Sequence, residues 1–183
     1  MRKVVIAAAA ISIPVLLAAC ISIPRAGPVG NTSVPQPTKS VDLQAYLGRW
    51  YEQFRYEASF QKGMDAVTAD YSRNGDGSIR VVNRGRTGGV SGKEKSSTGK
   101  AKVVDTNSNA KLKVSFFGPF YGDYWVLDHG DGYEWSIVGE PSGRYLWALT
   151  RERNPHPSLI AMLESRVGAL GYDRSLIRRT QQP

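Results

Sequence analysis

The chain has 183 residues, 24 Lys and Arg against 16 Asp and Glu, a formal net charge of +8 and one cysteine. A single cysteine excludes a disulfide framework, so an apolar core alone must hold the fold. The basic excess comes with no nucleic-acid signature and suits either anionic lipid headgroups or a plain solvated surface.

Residues 1–19 read as an export signal: Arg2 and Lys3 precede an almost wholly apolar stretch from Val4 to Leu17, and small residues follow. Leu17-Ala18-Ala19-Cys20 resembles the lipobox of bacterial lipoproteins, in which the cysteine is acylated and becomes the new N-terminus. The alternative is an ordinary secretory signal that happens to contain a cysteine. Several acyl chains on one residue anchor far more firmly than one. In the lipoprotein sorting rule an Asp after the cysteine retains the protein in the inner membrane. Ile21 stands there, which implies a lipid anchor in the outer membrane with the barrel in the periplasm. Removing Arg2 and Lys3 leaves 22 basic against 16 acidic residues, net +6.

Residues 20–41 carry Pro24, Pro28, Pro35 and Pro37 without periodicity, and predict a disordered tether. Residues 42–183 are sized for one domain. Eight short alternating or aromatic runs follow, near 49–58, 66–73, 78–84, 93–104, 110–117, 122–128, 133–139 and 144–151, separated by Gly, Pro, Asn and Asp clusters. That pattern predicts an all-β fold, an eight-stranded up-and-down antiparallel barrel, with a β-sandwich as the competitor. Pro157 and Ser158 then open a C-terminal helix whose Leu159, Ile160, Leu163, Val167 and Leu170 make one stripe, ended by Gly171 and packed on the outside of the sheet.

An eight-stranded barrel is either filled by side chains or holds one small ligand. Alternation puts Trp50, Glu52, Phe54 and Tyr56 on one face of the first strand, Val67, Ala69 and Tyr71 on one face of the second, and Val81 and Asn83 on the third. Leu112, Val114 and Phe116 share a face of the fifth. Small residues such as Ala69 among the aromatics favour a cavity. A carboxylate at Glu52 in such a cavity needs a partner or a proton.

Gly48-Arg49-Trp50-Tyr51-Glu52 resembles the first signature of the lipocalins, and Leu149-Thr150-Arg151 resembles the third; Leu127-Asp128 and Tyr133 match the middle one in degraded form. The segments SFFGPFYGDYWV, YLWALTRERNP and GYDRSLIRRTQQ are similar to the bacterial outer-membrane lipocalins and, less closely, to apolipoprotein D. The resemblance implies that Trp50 closes the narrow end of the barrel with Arg151 across its ring and Gly48 permitting the bend. It implies ligand contacts at Tyr71, Asn83 and Trp125; Phe54 and Tyr56 join them on the face of Trp50, and parity with Arg151 adds Tyr145 and Trp147, while Trp125 packs under the helix if the sixth strand has the other register. No cofactor is implied. The expected partners are a membrane, through Cys20, and a fatty acid or lysophospholipid. The competing class is a filled barrel serving as an envelope structural or adaptor protein.

Enzyme chemistry finds no support. Gly88-Gly89-Val90-Ser91-Gly92-Lys93 is one residue short of a phosphate loop and Glu94 stands where Ser or Thr is needed. His129 and His156 are expected in exposed turns with no metal spacing. With Trp50 at the closed end, the loops 57–65, 85–92, 117–121 and 140–143 surround the mouth. Their aromatics form either a membrane-docking rim or a lid, and the tether is expected to join at the opposite end, beside Trp50.

Overall fold

The computed structural model describes residues Gly27–Pro183; the export signal and Cys20 lie outside the described residues. Strands β1 (Gly48–Tyr56), β2 (Met64–Arg73), β3 (Ile79–Thr87), β4 (Lys93–Val103), β5 (Lys111–Phe117), β6 (Phe120–His129), β7 (Trp135–Gly139) and β8 (Leu146–Thr150) pair antiparallel in chain order. β1 pairs with both β8 and β2, so the sheet closes on itself. The barrel is built; the sandwich is not. Turns at 74–78, 104–110 and 130–134 lie at one end, and those at 57–63, 88–92, 118–119 and 140–145 at the other.

The helix α2, here numbered after a single turn α1 (Leu43–Tyr46), spans Pro157–Ala169. Ile160, Leu163 and Val167 are buried against an outer sheet face made of Phe54, Tyr56, Leu127, Trp135, Ile137, Leu146 and Ala148. His156 caps α2, its Nδ1 accepting from the Ser158 amide at 3.3 Å. α1 was not foreseen. Asp42 caps it by accepting from the Gln44 and Ala45 amides at 2.8 and 3.2 Å, and the turn lies across the Trp50 end as a floor.

Three expectations need correction. The first is the tether. From Gly27 onward it is a strap packed along the barrel wall, not a disordered linker. The Gly30 amide donates to Gly143 O at 2.9 Å, Asn31 Nδ2 to Leu170 O at 2.9 Å, Lys39 Nζ to His129 O at 2.9 Å and the Val41 amide to Ser108 O at 2.7 Å. Prolines keep it extended without making it loose. Gly30 is required at its position, because a Cβ there would meet the Tyr56 ring at 2.1 Å. The strap begins at the mouth end, where the Arg144 guanidinium binds Gly27 O, and finishes at the floor.

The second correction is His129, which is buried rather than exposed. Its ring stacks on Tyr133 at 4.5 Å and its Nδ1 and Nε2 lie 2.8 and 3.1 Å from Gly130 O and Ser40 O.

The third concerns β1. Its pairing with β8 slips between Glu52 and Phe54, a bulge that reverses the alternation. Trp50 and Glu52 face inward, but Phe54 and Tyr56 face out beneath α2. Beyond the bulge β1 also leaves β2, to which it pairs only over Gly48–Tyr51. The C-terminal chain fills that seam. A ninth strand, β9 (Ile177–Arg179), pairs with β1, and Gln182 Nε2 donates to Glu52 O and Val67 O at 2.8 and 3.0 Å.

Candidate ligand-binding cavity

The barrel encloses a cavity of about 850 Å³, open at the end opposite Trp50. Its floor is Val41, Leu43, Tyr46 and Leu47, from the strap and α1. Of the residues expected to line it, Val67, Ala69, Tyr71, Val81, Asn83, Leu112, Val114, Phe116, Tyr145 and Trp147 do so. Phe54, Tyr56 and Trp125 do not. The bulge in β1 turns the first two outward. In β6 the inward residues are Tyr124 and Val126, so Trp125 packs with the α2 cluster and under the Lys111 ammonium, 4.9 Å from its ring centroid. Both faces of β6 carry an aromatic followed by an aliphatic residue, so periodicity alone could not choose between them.

The lower half of the cavity is apolar apart from tyrosine hydroxyls, and those are satisfied. Tyr124 shares hydrogen bonds with Tyr71 at 2.9 Å and Tyr46 at 3.1 Å, and Tyr46 with Ser136 at 2.9 Å. Burial pushes the Tyr46, Tyr71 and Tyr124 phenols above the ordinary tyrosine value, the last two far above it. Burial likewise pushes the Tyr56 phenol up to about 12. All four are neutral at working pH. Since their folded values are raised, the stability they contribute is complete below about pH 10 and is lost as pH climbs past it. A spectrophotometric titration should show a group of the nine tyrosines ionising only with alkaline unfolding; all nine ionising together near pH 10 in a still-folded protein would refute this.

The upper half is different. Pairing of β3 with β4 sets Asn83 opposite Ser97 and Gly85 opposite Lys95, and all four line the cavity. Asn83 Oδ1 is buried without a partner. Phe60, Tyr145 and Trp147 form a ladder up the facing wall, with centroid spacings of 5.8 and 5.9 Å. Glu52 also lines the cavity and has its partner. Its Oε1 is 2.7 Å from Arg55 Nη1 and its Oε2 accepts from Gln61 Nε2 at 2.6 Å.

Among the described residues no three His, Cys, Asp or Glu side chains are grouped to hold a metal. The chain matches the lipocalin-like domain family over residues 41–182. It is 37% identical over 173 residues to the outer membrane lipoprotein Blc of Vibrio cholerae, covering 92% of this chain and 94% of that one. It is 30% identical over 164 residues to mouse apolipoprotein D, covering 84% of each. The structure of insecticyanin from Manduca sexta superposes with a TM-score of 0.66 at 18% identity, covering 84% of this chain and 87% of that chain. The chain belongs to the lipocalin family.

The closed end of this lipocalin is built on one tryptophan. The Arg151 guanidinium carbon lies 3.8 Å from the Trp50 ring centroid, and the indole Nε1 donates to Tyr46 O at 2.9 Å. Arg151 ties three backbone segments together, donating to Arg49 O at 2.9 Å, Ala45 O at 2.7 Å and Tyr133 O at 3.3 Å. Gly48 has φ +93°, and a Cβ there would sit 3.4 Å from Arg151 Nη1, so only glycine takes this backbone easily beneath the guanidinium. Sequence reasoning missed the α1 floor, because four helical residues leave no periodic signal. Tyr124 was legible only as one of two registers.

Proposed function

We propose that this lipocalin is a carrier for a long-chain amphiphile, a fatty acid or lysophospholipid, anchored through acylated Cys20 in the outer membrane with its barrel in the periplasm, where it stores or transports lipid. The observation that carries this is the cavity itself. At about 850 Å³ it is in the range of sites that enclose a whole small ligand, and it is open at one end only. Its polarity is graded: an apolar lower half whose hydroxyls are already paired, then Asn83, Ser97 and the Lys95 cation near the mouth. That gradient fits a tail below and a polar head above. The kinship with outer membrane lipoproteins supports the location. A filled barrel acting as an adaptor has no comparable observation behind it.

Native mass spectrometry of the purified protein tests the reading. Ala101, inward-facing and 3% exposed, lines the cavity wall. Ala101→Trp is expected to remove the co-purified lipid while leaving the barrel's circular dichroism unchanged. Retention of the same lipid at the same occupancy would show that it binds elsewhere.

A further inference from the structure

The exposed apolar side chains of this protein are unevenly placed. Among the described residues six large hydrophobics are markedly exposed, and five of them, Val29, Phe60, Phe117, Phe120 and Tyr121, stand at the open end. Phe60 is 67% exposed and Phe117 and Phe120 are each 79% exposed. Phe60, Phe117, Phe120 and Tyr121 line the mouth of the cavity yet leave much of their surface to solvent, so they form a rim and not a closed lid, an arrangement a soluble surface does not favour.

The charges around them are equally one-sided. Lys62, Lys93 and Lys95 are exposed at the same end and have no acidic partner among the described residues. The carboxylates nearby are already engaged: Glu57 by Arg55 and Arg178, Asp65 by Arg178, Glu94 by Arg86, and Asp123 by Lys113. Glu140 is turned back onto the amides of Ser142, Arg144 and Tyr145. The rim therefore offers protruding aromatics beside uncompensated cations.

The strap adds an independent constraint. Its Gly27 end lies at the mouth and only its Val41 end at the floor: Gly27 sits against Glu57 and Arg144, beside the β7–β8 turn. Seven residue steps separate Gly27 from Cys20, at most about 25 Å of chain. The nine residues of β1 span about 27 Å along the strand, and roughly 20 Å along the axis of a barrel whose strands tilt by about 40°. A chain held at Cys20 thus brings the mouth to the membrane without inversion of the barrel, whereas presenting the floor would need the segment almost fully extended along the wall. This constraint rests on the proposed acylation; the composition of the rim does not.

We infer that the open end of the barrel is a docking surface for an anionic lipid bilayer, with Phe117 and Phe120 inserted among the acyl chains and Lys62, Lys93 and Lys95 against the headgroups. A cavity that opens onto the bilayer exchanges its ligand without passing it through water.

The test uses the full chain purified from membranes and reconstituted in phosphatidylcholine–phosphatidylglycerol vesicles. A nitroxide is placed at Phe120→Cys on the rim or at Asn107→Cys on the closed-end turn. The label at 120 should collide with dissolved oxygen several-fold more often than with an aqueous nickel complex, and the label at 107 should do the reverse. Charge reversal by Lys62→Glu, Lys93→Glu and Lys95→Glu together should return the label at 120 to water, as should high salt. A label at 120 that stays aqueous in the wild-type background overturns the proposal. So does dipolar broadening between labels at 120, which would mean that the rim meets a second copy of the chain. The mass of the N-terminal peptide from the same sample reads acylation separately, so a missing anchor is not mistaken for a rim that stays in water.

Discussion

Arg55→Met is expected to destabilise the protein by about 3–5 kcal/mol, read as a fall in the urea midpoint. Arg55 is wholly buried where β1 parts from β2. Its guanidinium donates to Glu52, Met64 O and Thr180 on one side, at 2.7, 3.1 and 3.1 Å, and to Glu57 and Gln61 O on the other, at 2.8 and 2.9 Å. Burial by itself would lower its pKa, but Glu52 and Glu57 outweigh it and the net direction is upward, so the cation persists at every working pH. Removing it leaves the Glu52 carboxylate at 2% exposure with only Gln61 and Thr180 as donors. An uncompensated buried charge costs far more than the intact pair contributes. The double variant Glu52→Gln, Arg55→Met should therefore recover most of the loss. If the double variant is as unstable as Arg55→Met, the penalty lies in the lost backbone contacts of the seam and not in the stranded carboxylate.

Trp50→Ala should cost a similar amount, about 3–5 kcal/mol, for a different reason. No charge is stranded. The indole is fully buried, lies tilted against Tyr46 with ring centroids 5.0 Å apart and carries the Arg151 guanidinium over its ring, so truncation opens a cavity beneath the floor and removes a cation–π contact of about 1–2 kcal/mol. Trp50→Phe keeps much of the volume and should lose markedly less. Both variants are compared by chemical denaturation. A Trp50→Ala protein within about 1 kcal/mol of wild type would show that the floor collapses to fill the space.

The two sites were unequally visible beforehand. Trp50, Arg151 and Gly48 stand where the lipocalin signatures place their Trp, Arg and Gly, so the resemblance pointed to them without any folded structure. The Glu52–Arg55 pair was half visible: the carboxylate was conspicuous on an apolar face, but its partner sat on what strict alternation made the opposite face. The bulge at β1 brought them together and in the same step moved Phe54 and Tyr56 out of the cavity. A bulge inserts one residue without altering local composition, so nothing in GRWYEQFRY marks it.

The sequence by itself determined the elements that depend on neighbours along the chain: eight strands, the amphipathic stripe of α2, and the barrel that strands of this number and order close into. It also supplied the inward residues of β2 from Val67 onward, of β3 and of β5, whereas the contribution of β4, with Lys95, Ser97 and Ala101, went unread. Only the tertiary structure decided which way β1 and β6 turn their aromatics, that α1 lies across the floor, and that the segment from Gly27 runs up the wall to the mouth. Each of these is set by what lies opposite in space — α2, the C-terminal chain in the seam, the turn at Gly143 — and a contact between residues a hundred positions apart leaves no local period to read.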